Sequence, residues 1–314
     1  MLARIAWVWH LVEWMLLCVL ASWLVLGVGW TAIGAIASAV GIFCGWRIVG
    51  NAATLAVASR VNRKHSQSAQ RSIPAFLRLA VREAWTFTRA YACHQLLPGV
   101  FGREGPADRA IGGRPIVLLV HGYFCNGGVW RYYVRWLEAR GFAVFTVSME
   151  PVYGSLEENS RVLEARIESI LVAAGAQRLA LVGHSMGGLV ARAYLRRCGA
   201  ERIDRIVTLG SPHQGTELAG IAYGENGRAM CIGSGWLTDP LNVQGLEQVR
   251  NGVTTIISRD DNLVAPYRNG TLSSARSIEI VGIGHLSMTA SRTVFEIVAS
   301  VLSDREPPIS GFPA

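Results

Sequence analysis

The sequence predicts an α/β fold with a doubly wound, mostly parallel sheet, a small lid and transmembrane helices ahead of the sheet. From residue 115 onward, short apolar runs alternate with segments whose apolar residues recur every three or four positions. Such alternation is typical of a parallel sheet that helices cover on both faces. Ahead of it, the segment from Trp14 to Trp46 contains no Asp, Glu, Lys or Arg, which indicates helices within a membrane.

The uncharged N-terminal segment is too long for one membrane-spanning helix, which needs about 20 residues. Gly27 and Gly29 offer a break near its middle. We therefore predict two helices, roughly residues 5–26 and 31–49, with Glu13 as an unusual charge inside the first. A single signal anchor and a cleaved signal peptide are the alternatives, although the apolar stretch exceeds the usual length in a signal peptide, about 7–15 residues.

Basic residues lie beyond both ends of the predicted hairpin. Arg4 precedes it, and it is followed by Arg47, Arg60, Arg63, Lys64 and Arg71. Because cytoplasmic flanks are enriched in Lys and Arg, we expect both ends of the hairpin and the domain that follows it to face the cytoplasm. Residues 1–110 contain eleven basic and four acidic side chains, so most of the net charge of +8 lies near the membrane. This indicates anionic lipid headgroups as the partner and not nucleic acid, for which no motif is present.

A polar and basic stretch follows the predicted hairpin. Residues 60–73 predict a turn, after which Ser72 and Pro74 indicate the start of a helix that runs through Leu97. This helix either docks on the domain that contains the sheet or lies on the membrane surface. Residues 98–114 are rich in Gly, Pro and charge, which predicts a linker.

The chain thus divides into a membrane anchor over residues 1–59, a basic connecting region over 60–113 and a domain over 114–314 that contains the sheet and, as the motifs below predict, the catalytic residues. Residues 216–252 are rich in Gly and weakly periodic, and a small lid could be inserted there. The predicted strands are 116–120, 143–147, 179–182, 205–209, 254–257 and 278–281, and the predicted helices between them are 129–140, 156–174 and 186–197. The six cysteines show neither metal-ligand spacing nor a disulfide framework, so we predict no metal and no other cofactor.

One serine lies between glycines in the stretch LVGHSMGG. Gly183, Ser185 and Gly187 form the pattern G-x-S-x-G, which follows a predicted strand and precedes a predicted helix. Small residues at both flanks allow a sharp turn that holds the hydroxyl above the edge of the sheet. The amides that begin the following helix face developing negative charge. Ser185 is therefore the candidate nucleophile.

A serine nucleophile needs a base, and the base needs an acid to orient it. His285 follows the last predicted strand in GIGHLSM, whereas His213 lies in the turn-like stretch GSPHQGT, so we predict His285 as the base. The acid is expected between the serine and the histidine in the chain. Asp260 and Asp261 follow a strand but cannot both face the imidazole, so one orients it and the other caps a turn. Asp239, in the predicted lid, is the other candidate.

Backbone amides are expected to bind the substrate oxygen. The stretch VLLVHGYFCNGG leads from the first strand of the catalytic domain into a loop that contains glycine. The amides of Tyr123 and of Met186, which follows the candidate nucleophile, form the expected pair. His121 lies on this side of the site and is predicted to form structural hydrogen bonds.

These motifs resemble those of the α/β-hydrolases, and within them the bacterial lipase and esterase branch. The resemblance covers about residues 114–304 and rests on LVHGYF, GHSMGG, TLGSPHQGT and GIGHLSM. It implies that Ser185 is the nucleophile and that Tyr123 and Met186 supply the oxyanion amides.

The resemblance also decides between the two adjacent aspartates. The acid of this family usually stands three residues before a valine, and Asp261 fits that pattern through Val264. Lipases of this branch commonly carry an aspartate near the catalytic histidine for a structural calcium ion. The stretch GHLSMTASR has none, so no metal is carried over.

The membrane is expected to be a bacterial inner membrane.

The sequence therefore predicts a membrane-associated serine hydrolase that cleaves carboxylic esters, with lipid acyl esters as the favoured substrates. An acyl-enzyme would form on Ser185, with His285 moving the proton and Asp261 fixing the imidazole. An acyltransferase that uses the same acyl-enzyme is the alternative, because both reactions share the first half. A non-catalytic binding protein with this fold is a further alternative, but no member of the predicted triad is missing.

Overall fold

The computed structural model describes residues 1–67, 71–105 and 114–305. In these residues, a sheet of six parallel strands has the order β2-β1-β3-β4-β5-β6. The doubly wound sheet predicted as mostly parallel is thus confirmed, and it is parallel throughout. The strands are β1 (Ile116–Val120), β2 (Ala143–Val147), β3 (Leu179–His184), β4 (Ile203–Leu209), β5 (Val253–Ser258) and β6 (Arg276–Ile280).

Helices cover both faces of the sheet. Side chains alternate along a strand, so Leu118 packs towards one face and Val117 and Leu119 towards the other. Helices α6 and α7 cover the first face, and α5 and α10 cover the second. The helices are α1 (Leu2–Leu26), α2 (Ala32–Lys64), α3 (Ile73–Ala92), α4 (Pro98–Phe101), α5 (Arg131–Ala139), α6 (Leu156–Ala174), α7 (Met186–Cys198), α8 (Gly224–Ala229), α9 (Gly235–Thr238) and α10 (Arg292–Leu302).

The second N-terminal helix is longer than predicted. The sequence suggested that it ends at Val49 and that a turn follows over 60–73, but α2 continues to Lys64. The reason is tertiary packing: Leu55 packs on α3, and Ala58 and Val61 pack against Ala265 of the sheet domain. A polar sequence that carries an apolar stripe continues a helix when that stripe is buried.

Helix α3 docks on the sheet domain by one face and exposes another. Ser72 caps its start by accepting a hydrogen bond from the amide of Ala75, as the Ser-Pro signal suggested. The buried residues include Leu79, Ala80 and Glu83. The exposed apolar residues are four apart along the helix: Ile73, Leu77, Val81 and Trp85. The predicted linker that follows begins with the short helix α4, and residues 106–113 lie outside the described residues.

The charge in the first N-terminal helix has a partner in the second. Glu13 of α1 and Arg47 of α2 form a bidentate ion pair at 2.6 and 2.8 Å, and His10 contacts the same carboxylate at 3.0 Å. This pair reduces the cost of a charge within an apolar hairpin. Both α1 and α2 are long and apolar enough to cross a membrane by length and composition, and most of their large apolar side chains are exposed.

Candidate active site

Ser185 lies on a sharp turn between β3 and α7. Its backbone has φ 55° and ψ −125°, a conformation that costs a non-glycine residue about 1–3 kcal/mol. The neighbouring glycines make this turn sterically possible: a Cβ at Gly183 would lie 2.8 Å from the amide nitrogen of Gly188, and one at Gly187 would lie 2.8 Å from the carbonyl oxygen of His121. The strand, turn and helix thus hold the serine at the carboxyl edge of the sheet, as the sequence suggested.

His285 and Asp261 form a buried hydrogen-bonded pair beside this turn. The imidazole Nδ1 lies 3.0 and 2.9 Å from the two carboxylate oxygens. The carboxylate also accepts hydrogen bonds from the amides of Leu263 and Val264, at 2.8 and 2.7 Å. These hydrogen bonds therefore fix the orientation of the Asp261 carboxylate.

The pKa of His285 is raised above its usual 6.5 although the side chain is buried. Burial by itself lowers this pKa, because it disfavours the imidazolium. The charge and hydrogen bond of Asp261, together with the charge of Glu83, outweigh the effect of burial. The site therefore stabilises a proton on the imidazole, which a base must hold during acyl transfer.

The two other candidate acids lie in different contacts. Asp260 forms an ion pair with Arg71, which comes from the segment between α2 and α3. Asp239 pairs with Arg196 at 3.0 Å and caps a short helical turn. Among the three candidates in the described residues, Asp261 alone hydrogen-bonds to His285.

The loop after β1 passes close to the candidate nucleophile. A Cβ at Gly122 would lie 2.8 Å from the Cβ of Ser185, so this position accommodates only glycine without movement. Tyr123 follows in the same loop, and Met186 is the first residue of α7, whose amide has no acceptor inside the helix. The two predicted oxyanion residues thus lie next to the serine turn, Tyr123 in the loop after β1 and Met186 at the start of α7.

His121 and His213 are both held in structural hydrogen bonds. In His121, Nδ1 lies 2.8 Å from the carbonyl oxygen of Gly122, and Nε2 accepts the amide of Met149 at 2.9 Å. Burial lowers the pKa of His121 to about 4, which leaves the ring neutral. His213 contacts Thr208 at 3.0 Å, and burial lowers its pKa well below the usual value.

Ser185 and His285 border a cavity of about 330 Å³ whose far wall comes from the N-terminal helices. No residue of 216–252, where the sequence predicted a lid, borders this cavity in the described part of the chain. That segment folds into short helices, and its Tyr223 hydrogen-bonds to Tyr123 on the rim. The wall residues from α2 and α3 are Trp46, Arg47, Gly50, Asn51, Thr54, Glu83, Phe87 and Tyr91.

Three residues that support the histidine were not predicted from the sequence. Buried Glu83 of α3 accepts the amides of Leu286 and Ser287, both at 3.1 Å, and burial raises the pKa of its carboxyl. The other two are Asn262, whose amide oxygen accepts the backbone N–H of His285 at 3.0 Å, and His184, whose Nε2 lies 3.0 Å from the carbonyl oxygen of His285.

A signal for Glu83 exists in the sequence. It lies four residues after Leu79 and three after Ala80, on the stripe of α3 that is buried. A lone acid on an apolar stripe needs a buried partner. Here the partners are backbone amides beside the candidate base, which the sequence alone does not identify.

The described residues contain no cluster of three or more His, Cys, Asp or Glu side chains that could hold a metal ion. Separately, the sheet edge brings together a hydroxyl and an imidazole with its carboxylate, and Ser185 and His285 border one cavity. These are groups that acyl transfer uses.

Residues 115–224 match the family model described as the alpha/beta hydrolase fold. Among curated proteins, the chain is 31% identical over 121 residues to triacylglycerol lipases of Pseudarthrobacter phenanthrenivorans and Burkholderia plantarii, which is 36% of this chain and 38% and 34% of those proteins. It is 30% identical over 103 residues to a pimeloyl-[acyl-carrier protein] methyl ester esterase of Vibrio parahaemolyticus, 33% of this chain and 39% of that protein. The match thus spans little more than a third of these relatives.

Solved structures share the fold over a larger part of the chain. Aspergillus fumigatus lipase B aligns with a TM-score of 0.56 at 17% identity, over 68% of this chain and 58% of that one. The mature form of Bacillus licheniformis lipase BlEst2 aligns with a TM-score of 0.51 at 18% identity, over 64% and 95%. The parallel sheet, the serine turn and the family match agree that this chain has the α/β-hydrolase fold.

Proposed function

We propose that this protein is a membrane-associated serine hydrolase that cleaves carboxylic esters through an acyl-enzyme. Ser185 is the nucleophile, His285 the base and Asp261 the acid that orients the base. The observation that carries the proposal is the buried contact of Asp261 with Nδ1 of His285, on the cavity that Ser185 also borders. It leaves Nε2 as the imidazole nitrogen that can take a proton from the serine.

The reaction follows from these positions. The Ser185 oxygen attacks the ester carbonyl carbon while its proton passes to Nε2 of His285. The carbonyl oxygen becomes an oxyanion, which the amides of Tyr123 and Met186 stabilise. When the tetrahedral intermediate collapses, the proton moves from His285 to the departing alcohol and the acyl group stays on the serine. Water, deprotonated by the same histidine, then attacks the acyl carbon; when this second intermediate collapses, His285 returns the proton to the Ser185 oxygen and the carboxylic acid is released.

Several features support a lipid ester as the substrate. The relatives named above are lipases of triacylglycerols and an esterase of a methyl ester, and both classes cleave carboxylic esters. The exposed surfaces of α1 and α2 are apolar, and so is the outer stripe of α3. Arginines follow that stripe along α3, at Arg78, Arg82 and Arg89, where anionic headgroups would meet them. We place the hairpin in a bacterial inner membrane with the catalytic part in the cytoplasm.

The proposal is tested by labelling the full-length protein in detergent micelles with a fluorophosphonate. This probe transfers its phosphonyl group to an activated serine, with fluoride as the leaving group. We expect rapid labelling of the natural protein and none of Ser185→Ala. Equal labelling of the two proteins would assign the nucleophile elsewhere, and absence of labelling in a folded natural protein would favour a binding function.

A further inference from the structure

One wall of the active-site cavity belongs to the helix that we place in the membrane. Trp46, Gly50 and Thr54 are four residues apart on α2 and all border the cavity, so they form one stripe of the helix. We call these three residues the α2 stripe. On α3, Phe87 and Tyr91 continue the wall. The candidate nucleophile therefore shares its cavity with an N-terminal helix instead of with the segment predicted as a lid.

Contacts fix this helix against the segment that follows β5 and carries Asp261. Thr54 of the α2 stripe accepts a hydrogen bond at 2.9 Å from Asn262, which in turn accepts the backbone amide of His285. Farther along α2, Asn62 accepts the backbone amide of Tyr267 at 3.0 Å. The position of the α2 stripe relative to the serine is thus set by hydrogen bonds and packing in addition to the chain connection.

The length of α2 places the α2 stripe at the edge of the hydrocarbon. The helix has 33 residues, which is about 50 Å, whereas the hydrocarbon core of a bilayer is about 30 Å thick. If Ala32 lies at the far boundary, about 20 residues reach the near boundary close to Asn51. The cavity-lining residues therefore lie where an ester bond lies in a membrane lipid, below the headgroup and above the chains.

The space beside Gly50 can hold an alkyl chain. A Cβ at this position would have no other heavy atom within 4 Å, and the nearby lining includes the apolar groups of Trp46, Phe87 and Leu263. A cavity of about 330 Å³ is at the small end of ligand sites, which are about 300–1,000 Å³. It fits the part of a chain next to the ester, while the rest of the chain stays in the lipid.

We propose that the α2 stripe is the acyl-chain subsite of the enzyme, and that a membrane-resident lipid ester enters along it directly from the bilayer. This inference rests on the proposed function and adds the place where the acyl chain binds and the route by which the lipid enters. The chain of the lipid lies beside Gly50 while its carbonyl reaches Ser185. Because the subsite is built from a membrane helix, long chains are favoured over short ones.

The test compares Gly50→Leu with Gly41→Leu. Both glycines lie on α2, a Cβ at either position has open space, and leucine favours a helix more than glycine does. Only Gly50 borders the cavity. Hydrolysis of p-nitrophenyl esters with chains of two to sixteen carbons is measured in mixed micelles. We expect Gly50→Leu to lower kcat/KM at least tenfold for the longest chains and less than twofold for the acetate. Gly41→Leu should keep the natural profile.

An unchanged chain-length profile in Gly50→Leu, or an equal loss at every length, would overturn the inference. Labelling of this variant by a short fluorophosphonate confirms that its catalytic groups are assembled. A natural protein that hydrolyses none of the esters would instead refute the proposed function. In a second arm, inert detergent is added at a constant concentration of the long ester. We expect the rate to fall with the surface fraction of substrate, and a rate set by bulk concentration alone would exclude entry from the lipid phase.

Discussion

The sheet edge and the N-terminal helices hold their buried charges by different means. At the sheet edge, Asp261 and His285 follow the neighbouring parallel strands β5 and β6, so the sheet itself brings them together. In the helices, Glu13 and Arg47 meet across a hairpin, where the rotation of each helix decides which side chains face one another. Backbone topology places the first pair, and packing between helices places the second.

The two regions meet at Glu83. This carboxylate belongs to α3 but accepts amides from the loop that carries His285. We therefore expect the effect of a substitution on the rate to depend on the region in which it lies. Changes to groups that react at the sheet edge should lower the rate most, and changes to groups of the helices should act through the histidine loop and through the choice of substrate.

The largest effect is expected from Ser185→Ala. Removal of a triad nucleophile cost about 10⁶ in rate in a well-studied protease, and we expect a loss of kcat of that order. The substitution removes one oxygen, so the midpoint of thermal unfolding should stay close to that of the natural protein. Ester hydrolysis by purified protein, with calorimetry beside it, measures both. A rate within tenfold of the natural enzyme would show that another group attacks the ester.

The next largest effect is expected from Asp261→Asn, and it distinguishes the role of Asp261 from that of the adjacent Asp260. Asp261→Asn should lower kcat about 10⁴-fold, because an amide no longer holds the tautomer with the proton on Nδ1. Asp260→Asn is the matched control; it weakens the ion pair with Arg71 and should cost less than tenfold in rate. Steady-state kinetics of the two proteins decide the assignment. If Asp260→Asn is the crippled variant, Asp261 is not the acid.

A smaller effect is expected from Glu83→Gln, together with a shift in pH dependence. The pKa of His285 is raised above 6.5, and an imidazole must be neutral to accept a proton, so kcat/KM of the natural enzyme should rise with pH through a value above 6.5. The charge of Glu83 is one cause of that raised pKa, so its removal should move this limb to lower pH.

Loss of a charged acceptor should also lower kcat/KM about tenfold at the optimum. Glu225→Gln, at an exposed position on α8, is the matched control and should keep the natural profile. A pH–rate series for the three proteins makes the comparison. A limb that stays in place, or that moves to higher pH, would show that Glu83 does not act on the histidine.

The smallest effect on hydrolysis is expected from fusing a reporter enzyme to the end of the chain, which tests on which side of the membrane the catalytic part lies. Alkaline phosphatase, which is active only after export, is fused after Ala314. If α1 and α2 form a hairpin with both ends in the cytoplasm, the fusion should be inactive in intact cells while ester hydrolysis is retained. A cytoplasmic reporter at the same junction serves as the control. Strong phosphatase activity would favour the single signal anchor and move Ser185 to the other side of the membrane.

The sequence predicts most of the sheet domain because its signals are local. The bounds of α6 match the prediction over 156–174 because Ser155 and Glu158 form a capping box and Gly175, at φ 60°, ends the helix. The order of strands then places Ser185 and His285 at one edge. No long-range contact has to be known for either inference.

The sequence does not predict how the N-terminal helices dock. Helix α2 reaches Lys64 because Val61 is buried against another part of the chain. The local sequence is polar and does not indicate this burial. Glu83 and Asn262 act on the histidine loop through contacts across 203 and 23 residues, respectively. The spacing of Glu83 on its helix indicates burial, but packing between elements decides which groups it contacts.

The central claim is that the sheet edge and α2 form one active site. It is tested most directly with a long-chain alkyl fluorophosphonate that carries a diazirine near the end of the chain. Ser185 displaces fluoride from the probe, light then joins the chain to whatever it contacts, and mass spectrometry locates both attachments. We expect Ser185 linked to peptides that contain residues 46–54, and no product from Ser185→Ala. Attachment of the chain only within residues 216–252 would contradict the account.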